Sequence, residues 1–167
     1  MEYALRTLSG RGLSTAEIRT KLARKAARAE DADHVLAKLK EAGFVDDRRF
    51  AESYAAARLE NQGFGKMRVL RDLRQRKVTG AVASRAVEQT FEGTDETALV
   101  EQYLARKYRS AKLAEFLSED KNLASAYRRL RLAGFAAGVS IRVLRRYASS
   151  ADALEGAYEE EDDAPRE

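Results

Sequence analysis

Eleven cations set the chemistry this sequence can do. Arg68, Arg71, Arg74, Arg76 and Lys77 follow one another at short steps, and 68, 71 and 74 share one helical face. Arg128, Arg129 and Arg131 form a second group, and Arg142, Arg145 and Arg146 a third. Guanidinium forks match phosphate oxygens in pairs. Between Arg58 and Lys77 seven basic residues stand against Glu60 and Asp72 alone, and residues 121–151 carry seven basic residues and no acid. A surface that only confers solubility mixes its signs, whereas clustering builds local potential. The three groups are therefore read as one basic strip that fits a polyanion or a filament better than a small-molecule pocket.

Other chemistries fail on residue type. Gly63-Phe64-Gly65-Lys66 resembles a phosphate loop, but Glu60 stands where its first glycine belongs and Met67 where Ser or Thr belongs. Arg68 likewise occupies the third glycine of a dinucleotide fingerprint. Asp46-Asp47 reads as a helix N-cap rather than a catalytic pair. His34 is the sole histidine and reads as an ordinary half-buried imidazole. There is no cysteine, which excludes disulfides and thiolate sites. Tyr3, Tyr54, Tyr103, Tyr108, Tyr127, Tyr147 and Tyr158 could stack on bases, but most lie on apolar faces and read as packing. The expectation is a binding protein with no catalytic residue, metal or cofactor.

The chain has 167 residues and a net charge of +4. Residues 152–167 hold eight acids and one base, so the remainder carries +11, which calls for an anionic partner. Glu159-Glu160-Glu161-Asp162-Asp163 repel one another and have little to bury, so 151–167 is expected to be a disordered acidic tail with nothing that enters a core. Pro165 is the only proline, and an all-β fold is not expected. No apolar run approaches the ~20 residues of a membrane span, and the first residues do not read as a signal peptide.

Helical periodicity organises most of the body. Ile18 and Leu22 share a face, as do Phe50 and Tyr54, and so do Met67, Leu70 and Leu73 or Arg74. Ser14-Thr15-Ala16-Glu17 is a capping box. Thr79 is expected to cap the helix after it, and Gly43, Gly63 and Gly134 to end helices. Leu22, Leu73 and Leu130 are each followed thirteen residues later by an apolar pair, at offsets of 51 and 57 residues. A further helix precedes each pair, at 3–9, 48–61 and 95–108. Nine helices thus form three tandem three-helix repeats, at 1–45, 46–92 and 93–150. The fold class is all-α, an elongated, curved helical array and a monomer.

The run Gly43-Phe44-Val45-Asp46-Asp47-Arg48-Arg49-Phe50-Ala51 closely resembles the signature of the bacterial RecX regulatory proteins. Ser14, Glu17, Ile18, Lys21, Leu22 and Lys25 resemble that family's first repeat. Gly65, Arg68, Val69 and Leu73 resemble the second, and Lys107, Gly134-Phe135 and Val143-Leu144 the third. The resemblance spans roughly 3–147. It implies a three-repeat helical protein that lies along the groove of the RecA–DNA filament and inhibits strand exchange, ATP hydrolysis and co-protease activity. It also implies a cytoplasmic location, and a filament binder is expected to touch single- and double-stranded DNA weakly and without regard to sequence. The chain departs from the family pattern at Ala26 and Lys77, where glycine usually ends a helix, at Ala136-Ala137-Gly138 in place of a serine cap, and at Asp31.

Two other classes fit part of the pattern. A sequence-specific helix-turn-helix regulator would show one recognition helix and a dimer seam, and a helical scaffold would bind no nucleic acid. Salt titration of DNA binding separates all three.

Overall fold

The computed structural model describes residues 1–10, 12–109 and 112–154, and every regular element among them is helical. Ten α-helices run α1 (Glu2–Gly10), α2 (Thr15–Ala23), α3 (Ala29–Glu41), α4 (Asp47–Ala57), α5 (Lys66–Gln75), α6 (Gly80–Thr90), α7 (Glu96–Lys107), α8 (Leu113–Leu117), α9 (Asp120–Leu132) and α10 (Ala137–Leu144). The repeats expected at 1–45, 46–92 and 93–150 cover α1–α3, α4–α6 and α7–α10. The short α8 is an addition the periodicity missed, since five residues are too few to show a period.

The helix expected over 48–61 is α4 followed by a π-helical turn, Arg58–Gln62. Gly43, Gly63 and Gly134 stop helices as expected, with φ of +72°, +63° and +90°. Thr79 precedes α6, but its side chain makes no capping bond.

Two compact units form. The first holds Met1–Arg58 with Val69–Glu92. Its first core gathers Ala4, Leu13, Ile18, Leu22, Leu36 and Leu39 between α1, α2 and α3. Further along, α4 packs on α6, and the fully buried alanines Ala51, Ala55 and Ala83 leave room for close approach of two backbones.

The second unit holds Leu59–Arg68 and the chain from Gly93 onward. There α10 packs on both α7 and α9, and α8 on α9. Leu104, Leu117, Leu123, Leu130, Phe135, Val143 and Leu144 are buried, together with Tyr127. A 3-10 turn, Ser149–Asp152, then packs on α9 and α10. Ala151 is wholly buried and Leu154 is 9% exposed, and the Ser150 hydroxyl donates to Asp120 at 2.7 Å. This corrects the expectation that nothing in the tail enters a core: Ala151 and Leu154, at its start, seat it. The rest of the acidic tail, 155–167 with Tyr158, lies outside the described residues.

Candidate nucleic-acid interface

Helix α5 buries Val69, Asp72 and Leu73 along one face, which turns Arg71 and Arg74 out to solvent. Asp72 is a charge taken inside and needs partners. The Tyr54 hydroxyl lies 3.4 Å from its carboxylate, and Arg58 Nε 3.9 Å. The helix ends at Lys77, whose φ of +60° is the left-handed geometry that glycine adopts most easily. The Lys77 and Val78 amides donate back to the Arg74 and Leu73 carbonyls at 2.8 and 3.1 Å. A left-handed C-cap therefore survives here without its usual glycine.

Arg76 departs from the strip. Its guanidinium lies over the Phe50 ring at 5.4 Å and the Tyr54 ring at 4.9 Å. It also reaches the Gly12 carbonyl at 3.5 Å and the Glu17 carboxylate at 3.8 Å. Its own carbonyl accepts from the buried Ser14 hydroxyl at 2.6 Å. That serine also completes the expected capping box: the Glu17 amide donates to it at 3.2 Å, and the Ser14 amide donates to the Glu17 carboxylate at 2.9 Å. The two aspartates at the start of α4 divide their work. Asp46 accepts from the Arg48 and Arg49 amides, while Asp47 accepts from the Thr15 amide of α2 at 2.7 Å. The sequence shows Asp47 as a cap, but not that the helix it caps lies thirty-two residues upstream.

In the second unit α9 buries Leu123, Ala126, Tyr127 and Leu130 and exposes Arg128, Arg129 and Arg131. Arg131 donates to the Phe135 carbonyl at 2.8 Å. On α10 Arg142 is exposed, while Arg145 pairs with Asp152 and Arg146 with Glu101. Arg68 is half-buried, stacked 5.2 Å from the Phe64 ring, with Nη1 3.4 Å from the Leu132 carbonyl. Of the strip cations, Arg71, Arg74, Lys77, Arg128, Arg129, Arg131 and Arg142 therefore stand exposed, and Arg145 and Arg146 are exposed but tied to carboxylates. Arg68 is drawn into a joint by Phe64, four residues before it, and Arg76 by Phe50 and Tyr54, which the sequence did not place beside it.

The start of α5 explains Gly65. Its amide donates to the Ala133 carbonyl at 2.8 Å, and the Met67 amide to the Gly134 carbonyl at 3.2 Å. The Gly65 and Met67 amides at the start of α5 are thus spent on carbonyls just past the end of α9 rather than held open for a phosphate. A Cβ on Gly65 would come within 2.4 Å of the Gly134 oxygen, and one on Gly134 within 2.1 Å of the Arg68 nitrogen. Met67, expected on the buried face, is 58% exposed.

Burial raises the Tyr103 phenol above its ordinary range, against the pull of Arg129 and Arg68, and raises that of Tyr108 likewise. Both hydroxyls stay protonated at neutral pH. The Tyr103 ring packs edge-on to Phe135 at 5.5 Å and Tyr108 packs on Phe116 at 5.0 Å. Tyrosine thus serves packing in these places, as expected. His34 is exposed on α3 rather than half-buried. Among the described residues no group of three His, Cys, Asp or Glu side chains could hold a metal ion, and no helix is long and apolar enough to cross a membrane.

Comparison with known proteins agrees with this architecture. Residues 1–39 match the family model of the first three-helix domain of RecX, and residues 46–87 that of the second. A regulatory protein RecX from Thermus thermophilus is 34% identical over 147 residues, covering 87% of this chain and 89% of that protein. One from Streptomyces coelicolor is 30% identical over 142 residues, covering 84% and 73%. The crystal structure of RecX from Lactobacillus salivarius superposes with a TM-score of 0.64 at 18% identity, covering 87% of this chain and 92% of that one.

Proposed function

This chain belongs to the RecX family of regulatory proteins, and from that premise we propose that it binds the RecA–DNA filament and restrains it. The restraint falls on strand exchange, ATP hydrolysis and co-protease activity, and so on DNA repair and the SOS response. The protein acts in the cytoplasm as a monomer, without catalysis of its own, and touches single- and double-stranded DNA weakly and without regard to sequence. The observation that carries this reading is the pair of exposed arginine faces: Arg71 and Arg74 on α5, and Arg128 and Arg131 on α9. Each pair is three residues apart on one face, opposite a buried row, and residues 121–151 contain no carboxylate. Such faces meet phosphates by counterion release, which gives affinity without sequence preference.

The test is to add the protein to preformed RecA filaments and follow ATP hydrolysis together with co-sedimentation. The wild-type chain is expected to sediment with filaments and slow hydrolysis. Replacing Arg71, Arg74, Arg128 and Arg131 together by Ala should weaken both effects and flatten the salt dependence by about 0.7–0.9 for each phosphate no longer neutralised. Melting temperature should change little, because exposed arginines contribute little to stability. Unchanged inhibition with an unchanged salt slope would leave these arginines as ordinary solvated side chains.

A further inference from the structure

Two long apolar side chains stand exposed where helix periodicity has no use for them. Met67 is 58% exposed and Leu132 61%. Each lies two residues from a buried position of its own helix, Val69 on α5 and Leu130 on α9. Two residues turn a helix by about 200°, so both point away from the packed face. Single exposed apolar residues are ordinary on protein surfaces. These two are set apart because they flank one crossing of the chain. The Met67 amide donates to the Gly134 carbonyl at 3.2 Å, and the guanidinium of its neighbour Arg68 reaches the Leu132 carbonyl at 3.4 Å.

Cations outnumber acids in the surroundings, where one carboxylate, Glu96, accepts from the Ala136 amide at 3.2 Å. Lys66 and Arg131 are exposed beside the two apolar residues, Arg68 is half-buried between them, and no acid occurs in 61–71 or 121–151. The last carbonyls of α9, which would otherwise give this corner a negative end, accept from Gly65, Met67 and Arg68. The result is an apolar centre with a cationic rim. Aliphatic side chains gain nothing from phosphate. They gain from entering a pocket, where loss of water around a few central residues carries most of the binding energy while charged residues at the rim steer the approach.

We propose that the Met67–Leu132 corner docks on protein rather than on DNA: its partner surface is an apolar pocket edged by carboxylates on the RecA subunits of the filament. This rests on the filament-binding reading above and divides its labour. The arginine faces of α5 and α9 meet phosphate, and the corner grips the recombinase.

The experiment replaces Met67→Gln and Leu132→Gln together in the full chain. Glutamine keeps helix propensity, and both sites are more than half exposed, so the melting temperature is expected to stay at the wild-type value. Two affinities are then measured, for RecA filaments assembled on poly(dT) and for poly(dT) alone, each from about 50 mM to about 200 mM salt. The double variant is expected to lose about tenfold or more in filament affinity, by nearly the same factor at every salt concentration. Its affinity for poly(dT) alone and its salt slope should match the wild type. Equal losses on filament and on bare poly(dT) would overturn the proposal, placing the corner against nucleic acid. No loss on either would overturn it as well. A wild-type chain that fails to sediment with filaments would bring down the filament reading and this inference with it, an outcome distinct from both.

Discussion

Two helix starts in this molecule meet the same need by opposite means. At α2 the free amides are satisfied by side chains: Ser14 and Glu17 exchange bonds, and Asp47 takes the Thr15 amide. At α5 they are satisfied by backbone, with Gly65 and Met67 donating to the carbonyls that end α9. A side-chain joint is assembled from separable parts, each contributing a modest increment. A backbone joint requires two chains to touch, and its requirement is negative: no Cβ can stand at 65 or 134. The first kind erodes by steps under substitution, and the second fails at once.

The largest effect should come from the backbone joint. Gly134→Ala places a Cβ 2.1 Å from the Arg68 nitrogen at a φ of +90°, so steric overlap and backbone strain add. A loss of about 3 kcal/mol or more is expected, read as a fall in the urea midpoint. Loss under 1 kcal/mol would mean that the two backbones part easily, and the contrast between the joints would collapse.

Ser14→Ala tests the other side. It removes the cap on α2 and the bond to the Arg76 carbonyl at a wholly buried site. About 1–2 kcal/mol should be lost, with the melting transition still cooperative. A loss equal to that of Gly134→Ala would show that side-chain caps are no more forgiving than a backbone contact.

Lys77→Gly should have the smallest effect, and the opposite sign. Residue 77 already holds a φ of +60°, so glycine relieves a left-handed strain of about 1 kcal/mol. The looser unfolded chain takes part of that back. A slightly raised melting temperature is expected, and a lowered one would show that the lysine side chain holds this helix end by contacts of its own.

What could be read from sequence obeys the same division. The capping box was legible because its four residues are consecutive, and the helix stops at Gly43, Gly63 and Gly134 because positive φ favours one residue type. The crossing of Gly65 and Gly134 was not legible, since it joins positions sixty-nine apart in the chain and has no local signature. Exposure of Arg71, Arg74, Arg128 and Arg131 followed from period alone. Withdrawal of Arg76 between Phe50 and Tyr54 did not, because it depends on the preceding helix, α4, presenting two rings. Met67 misled for a related reason: spacing of three to Leu70 suggested a shared apolar face, whereas the buried row is fixed by Val69 and Leu73. Leu154 was hidden by its acidic neighbours, whose charge dominates composition while one leucine decides where the chain is seated.

The π-helical turn at Arg58–Gln62 sets the phase of its own last residues. Bonds that skip five residues instead of four store one more residue in the turn than an α-helix does, and each residue rotates a helix by about 100°. The Arg106 guanidinium holds this widened turn through the Asn61 carbonyl at 3.0 Å. The surplus residue thus acts as a spacer in angle. Excising it would leave a smoother helix, yet turn Asn61 by more than a quarter turn, so that its carbonyl would no longer face the Arg106 guanidinium.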